Sequence, residues 1–314
     1  MSKRWIVLAA ATAFAAVSSA GESGIVSYEY AGEFGGPGDG EGQFDTPTDI
    51  AVAADGSIFV VDGGHWRVQR FSVGGDYFLG ALGAKGFGDG EFKAVTGVAL
   101  ASDETAYVVE DTSDRVQRFS AEGKFLGKWG SNDPMAGEPI GYGGVAVAPD
   151  GAVYVTDVFN GRVKSFGPDG SPLGEWGREG TADGELLSPA GIALTSDGAV
   201  YVADAGNNRI QYFAAEGSFL GKWGEAGPAE GQLERPADVA IGPDGTVFVA
   251  DTGNQRVQYF TAAGSFLGAF GEEGTEAGQF DHPAGVAVAP NGTVCVADTW
   301  NNRVQYFTPV VRGE

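Results

Sequence analysis

A motif of fourteen residues recurs six times along this chain of 314 residues. The clearest copies are VYVADAGNNRIQYF at 200–213, VFVADTGNQRVQYF at 247–260 and VCVADTWNNRVQYF at 294–307. Looser copies begin at residues 58, 106 and 153, so successive copies lie 47 or 48 residues apart. A period of this length indicates a propeller or a solenoid, because each unit needs its neighbours to bury its apolar face.

Each repeat reads as four short β-strands. In the fourth repeat, apolar runs at 191–194, 200–203, 209–213 and 219–224 are separated by turns that contain Gly, Asp or Glu. Four strands per repeat is the pattern of a propeller blade. The 53 glycines show no three-residue period, which excludes a collagen-like chain.

The two ends of the chain indicate how the ring closes. No fourth strand follows Phe307 in the sixth repeat, whereas Tyr28–Gly35 (YEYAGEFG) resembles the fourth strand Phe266–Gly271 (FLGAFG). We therefore predict an all-β, six-bladed β-propeller with four-stranded antiparallel blades, closed by an N-terminal strand that completes the last blade. Such closure leaves no open end in the ring.

The repeat unit P-x-G-[IV]-A-[VL]…D-G-x-[VI]-[YF]-V-A-D-x-x-N-x-R-[IV]-Q-x-F resembles the NHL repeat, and the likeness covers residues 28–307. Repeats four, five and six are close to the family pattern. Repeat two departs from it at Val95 and Glu110, and repeat three has an irregular entry at 131–142. The resemblance implies one NHL-repeat propeller domain over residues 21–314.

The N-terminus has the order of a secretory signal peptide. Lys3 and Arg4 precede an apolar run at 5–17, and small residues follow at 18–20. Thirteen apolar residues are short for a bilayer span, and no later segment is apolar enough for one. We expect residues 1–20 to direct export, so that the protein is secreted, periplasmic or at the cell surface. Whether the segment is cleaved or retained as an anchor stays open.

The charge of the chain restricts the kinds of partner it can bind, and its cysteine content restricts the disulfides it can form. The chain has 42 Asp and Glu against 19 Lys and Arg, a formal net charge of −23. Such a surface repels phosphate backbones and anionic membranes, which argues against nucleic acid as a partner. The single cysteine, Cys295, excludes an internal disulfide. It takes the place of an aromatic residue in the other repeats, so we expect a buried core thiol.

An acidic residue and an arginine recur in every copy of the motif. An active site is made once, whereas a structural contact is made in every blade, so we interpret these residues as structural. The twelve are Asp62, Arg67, Glu110, Arg115, Asp157, Arg162, Asp204, Arg209, Asp251, Arg256, Asp298 and Arg303.

The loop between the second and third strands of each blade is where the repeats differ most. Its aromatic residues and one histidine are candidates for ligand binding, since exposed aromatics suit carbohydrates, peptides and cations. These candidates are His65, Trp66, Phe159 and Trp300, and blade two offers Glu110, Asp111 and Asp114. Blades six and one are neighbours, so Trp300, His65 and Trp66 are predicted to form one patch. In the alternative, the tryptophans cover neighbouring turns.

Metal candidates lie just before the first strand of a blade. This position is Gly in four repeats, but Asp49 and Asp238 in blades one and five. At a channel mouth, such carboxylates suit calcium; in the alternative, water solvates two separated side chains. Zinc is the weaker match, because it normally needs three or four protein ligands and the chain has only His65 and His282. His282 is the histidine we assign to a metal site.

The leading functional prediction is a non-catalytic scaffold, a monomeric ring that binds a peptide, glycan or protein outside the cytoplasm. The alternative is a metal-dependent lyase or hydrolase with its site at the channel mouth, which is what resemblance to amidating lyases or lactonases implies. A third reading is an architectural propeller in a cell-surface assembly. The sequence leaves open whether the chain is an enzyme.

Overall fold

The computed structural model describes residues 26–111, 115–130 and 141–311. They form six four-stranded antiparallel sheets. The first strands of successive blades contact one another in a closed ring. The protein is therefore a six-bladed β-propeller, as predicted from the repeat.

The blades follow one another along the chain. Blade one contains β2 (Pro47–Val52), β3 (Ile58–Asp62), β4 (Arg67–Phe71) and β5 (Phe78–Leu82), and blade two contains β6 (Val95–Leu100), β7 (Ala106–Glu110), β8 (Arg115–Phe119) and β9 (Phe125–Gly130). Blade three contains β10 (Tyr142–Val147), β11 (Val153–Asp157), β12 (Arg162–Phe166) and β13 (Pro172–Gly177), and blade four contains β14 (Pro189–Leu194), β15 (Val200–Asp204), β16 (Arg209–Phe213) and β17 (Phe219–Trp223). Blade five contains β18 (Asp238–Ile241), β19 (Val247–Asp251), β20 (Arg256–Phe260) and β21 (Phe266–Phe270).

Blade six closes the ring with strands from both ends of the chain. It contains β22 (Pro283–Val288), β23 (Val294–Asp298), β24 (Arg303–Val311) and β1 (Val26–Gly35). β1 pairs with β24 from Val26 opposite Val311 to Gly35 opposite Arg303. The predicted closure is confirmed. Both strands are longer than expected, and they pair with each other along their full length.

An apolar cluster lies between each pair of neighbouring blades. In each cluster, one blade contributes the second residue of its second strand, and this residue packs against the following blade. These residues are Phe59, Tyr107, Tyr154, Tyr201, Phe248 and Cys295. Cys295 is buried, as expected, and burial raises the pKa of its thiol to about 12.

In the three described ranges, no helix has the length and apolarity that crossing a bilayer requires. The predicted signal peptide at 1–20 and Asp114 lie outside the described residues, as does most of the irregular entry to repeat three.

Candidate functional site

The repeated acidic residue and arginine form a buried network in each blade. In blade four, the fully buried Asp204 accepts hydrogen bonds from Leu187 N at 2.7 Å and from Arg209 Nε at 2.6 Å. The side-chain amides of Asn207 and Gln211 also donate to it, each from 2.9 Å. Arg209 in turn donates to three backbone carbonyls of the loop that enters the blade. The network therefore fixes the entry loop to the second and third strands.

The same pairing is present in the other five blades. The acidic side chain is fully buried in all six. Arginine Nε lies 2.7–2.8 Å from the carboxylate in the pairs Asp62–Arg67, Asp157–Arg162, Asp251–Arg256 and Asp298–Arg303, and Glu110 pairs with Arg115 in blade two. The longer Glu110 still accepts from the entry loop, at Lys93 N. A contact made six times in one geometry supports the structural interpretation of these residues.

His65 belongs to this network in blade one. Its Nδ1 lies 3.0 Å from Asp62 Oδ2, where Asn207 and Asn301 place an amide nitrogen beside the acidic residue of their own blades. The histidine therefore takes the role of the usual asparagine, and its ring is held by Asp62 instead of being presented to a ligand.

Trp66, the residue after His65, has a left-handed backbone conformation, with φ of 54°. At this position Asn208 and Asn302 accept a backbone N–H from the entry loop of the next blade. The Trp66 ring instead packs against the apolar cluster between blades one and two, and Lys85 Nζ lies 3.8 Å from its centroid. The Trp66 side chain is therefore partly buried between blades one and two.

Two aromatic residues stand out where other blades have glycine. Phe159 in blade three and Trp300 in blade six occupy the position of Gly206 and Gly253, and their residues are 58% and 57% exposed. A Cβ at Gly206 or Gly253 would lie 2.7 Å from a carbonyl oxygen of the entry loop. In blade six the turn keeps the hydrogen bond from Asn302 N to Thr299 O, and Trp300 N donates to the entry loop at Asp281 O, as Gly206 N does at Leu187 O in blade four. In blade three it is Val158 N, one residue before Phe159, that donates to the entry loop.

A carboxyl group accompanies each exposed ring. The Trp300 ring stacks on His282 with centroids 3.3 Å apart, and His282 Nδ1 lies 2.8 Å from Asp281 Oδ1. Phe159 and Asp111 meet at Gly141, where a Cβ would lie 2.6 Å from the ring and 2.7 Å from the carboxyl. Burial raises the pKa of Asp111.

These groups share one face of the propeller, which we call the entry face. It is formed by the entry loops and the loops between second and third strands, which hydrogen-bond to each other, as at Trp300 N and Asp281 O. Blades three and six are three places apart in a ring of six. Phe159 and Trp300 therefore lie on opposite sides of the channel. Trp300 makes its ring contact with His282, and among the described residues its ring does not stack on His65 or Trp66.

The central channel is lined by the first strands of all six blades and holds a cavity of about 230 Å³. One position of the repeat contributes Asp49, Gly144, Gly191 and Asp238 to its lining, and Gly97 and Gly285 are the equivalent residues of blades two and six. The glycines allow close approach, since a Cβ at Gly285 would lie 2.7 Å from Asp49 Cα.

Asp49 and Asp238 connect neighbouring blades at this level. Oδ1 of each carboxyl accepts the next N–H of its own strand, and Oδ2 accepts an N–H of the following blade. The latter bonds run to Val98 N at 2.8 Å and Val286 N at 2.9 Å. Each carboxyl is thus bound by backbone N–H groups of two blades and is half-buried beside the channel.

The surroundings favour the neutral form of these carboxyls. Burial raises the pKa of Asp49 to about 7. Burial, together with the charge of Asp49, raises the pKa of Asp238 well above its ordinary value. The two groups act on each other electrostatically across the channel.

The donor atoms of the channel resemble those of a calcium site more than a zinc site. The carboxyls and the hydroxyl of Thr48, which has no hydrogen-bond partner among the described residues, are all oxygen donors. His282 does not line the channel. Within residues 26–111, 115–130 and 141–311, no three His, Cys, Asp or Glu side chains cluster as metal ligands would. The channel thus presents oxygen atoms from carboxyl and hydroxyl groups.

Comparison with known proteins agrees with the repeat and the fold. The model of the NHL repeat matches residues 186–213, 233–260 and 280–307. No curated protein sequence matches the chain.

Three solved structures illustrate the likeness of fold. Virginiamycin B lyase from Staphylococcus aureus is 13% identical with a TM-score of 0.61, covering 91% of this chain and 99% of the lyase. A gluconolactonase from Xanthomonas campestris is 16% identical with a TM-score of 0.63, covering 85% and 87%. A protein of unknown function from Bacteroides thetaiotaomicron is 15% identical with a TM-score of 0.69, covering 91% and 76%. Such identities show a common fold and nothing finer. The chain is therefore a six-bladed β-propeller that carries NHL repeats.

Proposed function

We propose that the protein is a non-catalytic recognition scaffold that binds a peptide, glycan or protein on its entry face. The observation that carries this proposal is the exposure of Phe159 and Trp300 at a position where blades one, four and five have glycine. A large ring held in water adds little to folding, but it contributes strongly to an interface once a partner covers it.

The chemistry beside the two rings favours a cationic partner. Each ring has a carboxyl group close to it, Asp111 at Phe159 and Asp281 at the His282–Trp300 stack. An aromatic face next to a carboxylate suits a Lys or Arg side chain, which gains a cation–π contact and an ion pair together. The net charge of −23 attracts such partners over longer distances. A peptide or protein segment with Lys or Arg is thus the best match.

The test replaces each ring with the residue that other blades carry. Trp300→Gly and Phe159→Gly should leave the fold intact, because glycine occupies this position in blades one, four and five. An array of Lys- and Arg-containing peptides and a glycan array are screened with the unmodified protein, and the tightest binder is measured by calorimetry. Each substitution should weaken binding by about tenfold or more, which corresponds to about 1.4 kcal/mol.

Leu220→Ser is the matched control, since this residue is 52% exposed on β17, away from the entry-face loops. It should not change the affinity. Unchanged binding in both glycine variants, or no ligand in either array, would contradict the proposal.

We further infer export from the N-terminal segment. Lys3, Arg4 and the apolar run that follows support it. N-terminal sequencing of the protein from its own cells tests this inference. A chain that starts near Gly21 supports export with cleavage, whereas an intact N-terminus in the cytoplasmic fraction contradicts it.

A second candidate is a metal-dependent lyase or hydrolase centred on the channel. The observation that favours it is the pair Asp49 and Asp238, whose raised pKa values are typical of functional carboxyls. Calcium bound there would polarise a substrate oxygen. Elemental analysis and melting curves with and without calcium test it, with Asp49→Gly and Asp238→Gly as variants. Bound calcium that both variants lose would support this candidate, and no bound metal would contradict it.

A further inference from the structure

A second cavity opens on the face opposite the entry face, between blades six and one. It encloses about 500 Å³, within the usual range for small-molecule sites. Its walls are mainly apolar and include Val52, Ile58, Cys295 and Tyr306, and Val73 stands at its rim. The turns that link first to second strands, at Asp55 and Asn291, also border it.

The cavity coincides with a departure from the repeat. The position of Cys295 is Phe or Tyr in the other five blades, and each of those rings is buried against the following blade. Cysteine at this position leaves the interface between blades six and one without the ring that the other interfaces have there, although Phe44 and Phe71 are buried elsewhere in the same cluster. Because protein interiors are close-packed, an interface that lacks its ring leaves wall atoms without contacts.

A second, independent departure meets the first at the same place. The turn between β4 and β5 has six residues, 72–77, where the corresponding turns in blades two to five have five. This insertion explains the single spacing of 48 residues among the repeats. The longer turn carries Val73 over Gly56, where a Cβ would lie 2.9 Å from Val73 Cγ2. Val73 is 61% exposed, so the turn extends the apolar wall into solvent.

We propose that this cavity binds a small neutral aromatic molecule, with its ring where the other five interfaces hold Phe or Tyr. The apolar walls account for the ring. Neutrality follows from the apolar walls, since burying an unpaired charge among them is costly, and Asp55 at the rim and the net charge of −23 repel anions in addition. The binding is non-covalent, and it uses a face that the entry-face proposal does not.

The experiment compares two substitutions at one residue, with indole as the probe. Cys295→Phe restores the residue of blades one and five and should fill the cavity, with the melting temperature unchanged or raised. Cys295→Ala keeps the cavity and removes the thiol. Ligand-observed NMR should show indole binding to the unmodified protein and to Cys295→Ala, with binding to Cys295→Phe weaker by about tenfold or more.

The location is tested on the unmodified protein, so that the result does not depend on the folding of a variant. Indole should shift the methyl NMR signals of Val52, Ile58 and Val73 and leave those of Val239 and Val286 in the channel unchanged. Absence of indole binding, shifts confined to other methyl groups, or equal binding by a folded Cys295→Phe would each overturn the proposal. Since Phe159 and Trp300 are distant in the fold, loss of entry-face binding in their variants would not affect this result.

Discussion

The buried acidic–arginine network and the ring of residues around the channel repeat at the same period, yet they differ in how strictly they do so. The network has an acidic residue and an arginine in all six blades, and the pairs adopt one geometry. The channel ring has glycine in four blades and aspartate in two. The entry-face loops vary in the same way, with Phe159 and Trp300 in place of glycine. Positions that every blade needs build the fold, and positions that only one or two blades change are free to serve a specific purpose.

The largest expected effect comes from breaking the network. Asp204→Ala removes a buried carboxylate that accepts hydrogen bonds from four groups, and it leaves Arg209 as a buried cation without its counter-charge. We expect the free energy of unfolding to fall by about 3–5 kcal/mol, as for other broken buried ion pairs. Urea unfolding followed by fluorescence measures the change.

Asp183→Ala is the matched control for that substitution. The Asp183 carboxyl is 55% exposed and pairs with Lys222 at the surface. Its removal should change the stability by about 0.5 kcal/mol or less. If Asp204→Ala lowered the free energy of unfolding no more than Asp183→Ala, a contribution to stability would not explain why the network is strictly repeated.

The channel carboxyls should produce a smaller, pH-dependent effect. Because the pKa of Asp49 is about 7 in the folded protein and near 3.9 in an unfolded chain, folding favours the protonated carboxyl. Its contribution is complete below pH 4 and is lost as the pH rises through 7. Since the carboxyl retains access to channel water, we expect the loss to be about 1–3 kcal/mol rather than the full value.

Asp49→Gly should reduce this pH dependence, because glycine occupies the equivalent position in four blades. Unfolding curves of both proteins at pH 4, 6 and 8 measure the difference in slope. The same slope in both would show that the channel aspartates behave as ordinary solvated carboxyls.

The smallest effect is expected for His65→Asn. In blades three to six an asparagine makes the contact with the acidic residue. An asparagine at position 65 would therefore make the same contact with Asp62 that His65 makes now. Stability should change by about 0.5 kcal/mol or less. A loss well above 1 kcal/mol, or a loss of entry-face binding, would show that His65 does more than replace an asparagine.

The sequence predicted most of the fold because its signals are local and repeated. Alternation of apolar residues and the Gly and Asp turns indicated four strands per repeat, and the likeness of Tyr28–Gly35 to a fourth strand predicted the closure. The same signals did not distinguish the surroundings of the candidate site residues. Trp66 and Trp300 occupy similar loops in the sequence, yet one packs over a neighbouring blade and the other is exposed.

The sequence by itself determined the number of blades, the way in which the ring closes and the structural nature of the repeated acidic residue and arginine. The tertiary structure decided what Asp49, His282 and Cys295 contact. Asp49 bonds to Val98 of the next blade, His282 stacks on Trp300, and the space beside Cys295 depends on blade one. These contacts join residues that are distant in the chain or belong to different blades. Strand and turn signals act within one repeat, so only the assembled ring brings such groups together.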